Sequence, residues 1–167
     1  MFDAKQLAGY IMEKYQHDFK EDISSIKLQK SLYFLFAYWG GFVRKGKSTN
    51  GDFVEEIIDE DDNLFHDKIE AWVYGPVVPS VFHAYKAGEI KKNYLGQDSL
   101  FYGINPIVKS TIDSILDDIF SISDFKLVSI SHEDKSWLNH FDEESEYHNE
   151  EIPKEEIIQE YAEKSLT

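Results

Sequence analysis

The chain has 167 residues, 42% of them hydrophobic and 15% aromatic, with a formal charge of −15 and no cysteine. Its length and apolar content suit one compact domain with a real core, and the missing thiols exclude disulfides, thiolate metal sites and cysteine nucleophiles. No apolar run reaches the roughly 18 residues of a membrane span, and MFDAKQLAGYIMEKY lacks the features of a signal peptide, so a soluble cytoplasmic protein without membrane contact is expected.

The charge is unevenly placed. Residues 1–110 carry 16 acidic and 13 basic side chains, whereas residues 111–167 carry 16 acidic and 4 basic. Phosphate backbones are bound by Lys and Arg that release counterions, so the C-terminal third should repel nucleic acid and attract a basic protein. A simple solubilising surface is the plainer use of the same charge.

In chain order, residues 3–19 place Leu7, Ala8, Ile11, Met12 and Tyr15 three and four apart, an amphipathic helix that Asp3 can cap. SSIKLQKSLYFLFAYWGG then reads as a second helix, with Ser24 or Ser25 as N-cap and Gly40-Gly41 as the stop. Leu28, Leu32, Leu35 and Trp39 form its stripe, and Tyr33, Phe34, Phe36 and Tyr38 carry apolar surface nearly all round, which predicts a buried central helix. Lys27, Gln29 and Lys30 are polar exceptions at its N-terminal end. Gln29 is suited to a carbonyl freed at Gly75-Pro76, a contact with a partner being its other use.

Extended or strand segments are expected at 53–58 and 69–74. Between the second of these and the next helix lies the corner AWVYGPVVPSVFHAYK. Pro76 fixes its own φ and bars Gly75 from helix, Gly75 accepts backbone conformations closed to other residues, and Pro79 suits a first helical position. The corner is thus a rigid strand-to-helix turn, followed by a helix ending near Gly88. Its Trp72, Tyr74, Phe82 and Tyr85 either pack around the turn, the default for each taken singly, or stand exposed as binding anchors. A periodic helix follows over 106–120. A short helix over 124–131 takes Asp124 as cap and Phe125, Leu127, Val128 and Ile130 as anchors. Pro153 opens a last helix that docks through Ile157, Ile158 and Tyr161. The fold class is mainly α with a small β element, a single helical domain around the second helix.

Little of this points to catalysis. His132, His140 and His148 recur every eight residues, which on a helix sets the rings about 12 Å apart, too far for one metal ion. No serine sits in a Gly-x-Ser-x-Gly elbow and no glycine loop is built for phosphate. The clusters EEIIDEDD and FDEESEYHNEE read as solvated acids or docking charges. A non-enzymatic protein without cofactor or metal is expected.

Three blocks carry a resemblance. KLQKSLYFLFAYWG is similar to an LQKLLYF signature, EAWVYGPVVPSVFHAYK to a W-x-YGPVxPxVY signature, and LVSISHEDKSWLNHF to an L-x-x-L-T-H-x-x-x-x-W block, with Ser131 where Thr is usual. In that order they resemble the Panacea domain, the antitoxin family related to SocA. The resemblance implies a mainly helical antitoxin that neutralises a toxin, here expected to be basic, by direct binding. It also implies a host protease as a second partner if the chain serves as an adaptor. Self-association stays open, and nothing in these residues resembles the helix-turn-helix domain that some members carry. The motif positions become the candidate partner contacts: Leu28, Gln29, Lys30 and Tyr33 in the first block; Trp72, Tyr74, Gly75, Pro76, Val77, Pro79, Phe82 and Tyr85 in the second; His132 and Trp137 in the third. Because similar proteins occur in prophages, the alternative is an acidic interaction protein that disarms a host factor by imitating nucleic-acid charge.

Overall fold

A computed structural model describes residues 1–49, 60–92, 99–146 and 149–164. The segment expected at 53–58, and His148, lie outside the described residues. Helix α1 (Ala4–Phe19) starts as expected: the Asp3 carboxylate accepts from the backbone N–H groups of Lys5 and Gln6. It stops at Lys20, in the left-handed region at φ 58°.

Helix α2 (Ser25–Thr49) is the axis of the molecule. Ser24 caps it, its hydroxyl accepting from the Lys27 N–H while donating to Asp124. Leu32, Tyr33, Leu35, Phe36, Ala37 and Trp39 have no exposure at all, so the near-continuous apolar circumference does mean burial. The other elements pack against it or against its neighbours: hairpin strands β1 (Glu70–Trp72) and β2 (Gly75–Val77), and helices α3 (Pro79–Lys86), α4 (Pro106–Phe120), α5 (Asp124–Ser131), α6 (Lys135–Leu138) and α7 (Lys154–Lys164), with α6 seated on α7. Strand β3 (Glu150–Glu151) completes a small antiparallel sheet of order β2-β1-β3, with Glu70 facing Val77 on one side and Glu151 on the other. Among the described residues the fold is mainly α with this one small sheet.

Gly40-Gly41 is not a stop. The helix runs through both residues because they serve packing, not termination. A Cβ on Gly40 would lie 2.7 Å from Ile158 Cγ1 and 2.8 Å from the Asp62 carbonyl oxygen, and one on Gly41 would lie 2.9 Å from the backbone carbonyl carbon of Tyr161. The glycine pair is the groove into which α7 sinks. Arg44, one turn on, ties the contact down, its guanidinium reaching Asp62 at 2.9 Å and Glu155 at 2.5 Å.

Two smaller expectations also change. Ser123, not Asp124, caps α5, accepting from the Lys126 N–H. Phe125 is 69% exposed rather than an anchor: Leu127, Val128 and Ser131 share the inner face, and at about 100° per residue position 125 points away from it. Helix α4 matches its expected span, with Asn105 as cap and Val108, Ile112, Ile115, Leu116 and Ile119 buried.

Gly41→Ala separates packing from propensity. Alanine should gain about 1 kcal/mol in an exposed helix, but here the added methyl meets backbone that cannot swing aside, at a cost of about 1–3 kcal/mol or more. Urea denaturation should therefore show a net loss of stability; a gain would remove the close-packing account.

Candidate functional site

The corner is a β-hairpin that passes into a helix. Strands β1 and β2 pair in the register Ala71 with Pro76 and Trp72 with Gly75, leaving Val73 and Tyr74 at the tip. Gly75 has φ +104°, and a Cβ there would meet Ser131 Oγ at 2.4 Å and the Lys30 ammonium at 3.1 Å. Both the backbone and the space demand glycine. Pro79 occupies the first turn of α3 as expected, behind Val78 in an extended conformation.

The turn and its prolines leave carbonyls outside the short ladder, and side chains from both flanks reach them. From α2, Gln29 takes the Val78 peptide on both sides: its Oε1 accepts from the Val78 N–H at 2.9 Å and its Nε2 donates to the Val78 carbonyl at 3.4 Å. Lys30 Nζ donates to the Pro76 carbonyl at 2.9 Å. From the opposite side, the Trp137 indole donates to the Trp72 carbonyl at 2.9 Å, and His132 Nε2 lies 3.0 Å from the Val73 carbonyl. The His132 and Trp137 rings stack at 4.3 Å, and Trp137 stacks in turn on Phe141 at 4.6 Å. Three blocks scattered from residue 28 to residue 137 meet at one place. The expected Gln29 contact is made, but to Val78; Lys30, one residue on, takes the Pro76 carbonyl.

The motif residues divide by position. Leu28, Tyr33, Gly75, Pro76, Val77 and Trp137 are buried, whereas Trp72, Pro79, Phe82, Tyr85 and His132 are half-buried. Tyr74 at 61% and Val73 at 49% stand exposed at the tip, so for Tyr74 the core default fails: a two-residue tip has nothing beyond it to pack against. Trp72 meets Phe82 edge-to-face at 4.9 Å. Between this pair, Ile26, Gln29, Lys30, Tyr74 and Val77 lies a mostly apolar groove of about 220 Å³.

Behind the site sits a carboxylate that the sequence reading missed. Asp134, 1% exposed, accepts from the hydroxyls of Tyr33 and Tyr161 and pairs with Lys164 at 2.6 Å. Burial, with the adjacent charge, pushes both tyrosines well above their ordinary pKa of 10.0, so they remain donors. Only the crowding of the Ser-His-Glu-Asp-Lys stretch hinted at this. Among the described residues no group of three His, Asp or Glu side chains is arranged to hold a metal ion, and no helix is long and apolar enough to cross a membrane. His140 instead bridges two glutamates, with Nδ1 2.8 Å from Glu150 and Nε2 2.9 Å from Glu156.

Comparison with known families decides the relationship: residues 54–138 match the antitoxin SocA-like, Panacea domain. The chain belongs to that family. The match spans just over half of the chain and includes the hairpin corner and the His132–Trp137 block, while the α2 block precedes it. No curated protein and no solved structure matches the chain. Membership in the SocA-like antitoxin family points to an antitoxin role with a toxin as partner.

Two titrations probe this Panacea site and its support. Burial pulls the Lys30 ammonium from 10.5 down to about 7. The unfolded chain therefore holds a proton that the folded chain sheds between those values, and this contribution to stability is lost as pH falls from about 10.5 to about 7. Lys30→Met lacks it, so the stability of the variant relative to the parent should rise by a few kcal/mol, on the order of 1–4, on going from pH 10 to pH 7; a constant difference across denaturation curves would contradict the burial. For His140, burial opposes the charge but the hydrogen bonds to Glu150 and Glu156 win, raising its pKa above 6.5. Its contribution is full below pH 6.5 and fades as pH rises through the folded value. His140→Gln should flatten the decline in melting temperature between about pH 6 and 8.

Proposed function

We propose that this protein is the antitoxin of a toxin–antitoxin pair and neutralises its toxin by stoichiometric binding through the hairpin corner. Family membership carries the reading. Its location is supported by the exposed Val73-Tyr74 tip beside the apolar groove, on a hairpin held rigid by hydrogen bonds from α2, His132 and Trp137. A preformed surface loses little entropy on binding, and an exposed tyrosine next to a recess is the kind of anchor that dominates affinity. Residues 111–167, with 16 acidic against 4 basic side chains, supply a negative field that speeds encounter with a basic toxin without setting the final affinity. Glu155, Glu156, Glu160 and Glu163, which line a broad groove between α6 and α7, concentrate part of that field.

Co-expression with the product of each adjacent gene tests the reading: one neighbour should arrest growth alone and be silenced by this chain, and if neither neighbour is toxic the antitoxin role falls. Within such a complex, Tyr74→Ala should raise Kd about tenfold or more and leave the melting temperature unchanged. Raising salt should slow association severalfold while changing dissociation little, measured by stopped flow or surface plasmon resonance.

A further inference from the structure

Lys30 is an anomaly in a chain with 32 acidic residues. Several other cations of the structure have carboxylates. Lys14 meets Asp18 and Asp117, Lys27 meets Asp124, Arg44 meets Asp62 and Glu155, and Lys164 meets Asp134. Lys30 is 1% exposed, more deeply buried than any of these, and it has no ion pair among the described residues. Its ammonium makes one hydrogen bond, to the Pro76 carbonyl. A buried ammonium with one neutral acceptor retains most of its desolvation cost. Ordinary structural duty explains it poorly, since the glutamine beside it already shows how a neutral side chain holds the same corner.

Lys30 also lines the recess between Trp72, Tyr74, Phe82, Val77 and Ile26, in which the only other titratable group is Tyr74. The ammonium donates to the Pro76 carbonyl of the hairpin, and it crowds Gly75 together with Ser131 Oγ of α5, which itself donates to the Val128 carbonyl. At about 220 Å³ the recess is smaller than the roughly 300–1,000 Å³ typical of small-molecule sites, a size suited to one large apolar side chain. Apolar walls and one uncompensated cation describe a matching occupant.

We propose that this recess receives a single apolar or aromatic side chain of the toxin polypeptide together with an adjacent carboxylate, a C-terminal one or that of a neighbouring Asp or Glu, which pairs with Lys30. This rests on the antitoxin reading for the nature of the occupant, and it adds local acidity to a toxin expected to be basic overall. The negative field brings the partner in, and one buried ion pair fixes its register. A charged hydrogen-bonded pair formed in a desolvated recess discriminates strongly against partners lacking the carboxylate.

N-acetylphenylalanine, with a free carboxylate, and its primary amide serve as probes, followed by nuclear magnetic resonance shifts of the Trp72 indole and Gln29 amide. At about pH 6 the acid should bind in the millimolar range, as a fragment of that size can, and about tenfold tighter than the amide. The net charge of −15 repels an anion at long range, so long-range attraction cannot mimic that preference. Raising the pH to about 9.5, where Lys30 has lost its proton and the probe is the same carboxylate as at pH 6, should erase the preference, as should Lys30→Met. The pH arm keeps the test decisive if that variant does not fold. Equal binding of acid and amide, binding of neither, or a preference that survives both high pH and Lys30→Met would overturn the proposal. The probes need no toxin, so a carboxylate preference without any neutralised toxin would sink the antitoxin reading alone, and neutralisation without the preference would sink this one alone.

Discussion

Four backbone carbonyls within seven residues, those of Trp72, Val73, Pro76 and Val78, take their hydrogen bonds from side chains at positions 137, 132, 30 and 29. The rest of the structure depends on this arrangement. A tight hairpin with a proline in one strand and a second proline opening the next helix cannot pair all its backbone groups within itself, and buried unpaired groups cost about 1–3 kcal/mol each. The missing donors come from α2 on one side and from the α5–α6 region on the other, so three segments distant in sequence are locked into one unit.

That lock explains why the central helix is polar only where it is. A helix that is apolar nearly all round is stable once enclosed, and the few polar side chains it tolerates must arrive with partners waiting. Gln29 and Lys30 find them in the hairpin, and Tyr33 finds Asp134. The same enclosure makes the corner rigid while its tip stays wet. Rigid and exposed positions therefore adjoin in one motif: Gly75 and Pro76 hold the shape, and Val73 and Tyr74 face solvent at its apex.

Helix periodicity made α1, α2, α4 and α7 legible, and the proline positions marked the start of α3 and α4, because these signals are local and strong. The glycine pair misled: two glycines at a plausible distance from an N-cap look like a terminator, and nothing in α2 itself announces that Ile158 and Tyr161, over a hundred residues away, need the space. Phe125 misled for the converse reason, since hydrophobicity without phase does not say which side of a two-turn helix faces inward. At the site, the three blocks could be read individually, but their convergence could not. The Asp134 cluster joins residues 33, 134, 161 and 164, and no spacing rule connects them.

The seat of α7 on the glycine pair has one more implication. A single cut ahead of Lys154 that released this helix would strip Asp134 of one tyrosine and its lysine, free Arg44 from Glu155 and open the glycine-lined face of α2 to water. The enclosure of α2 on that side thus depends on a helix tethered to the rest of the chain at its N-terminal end.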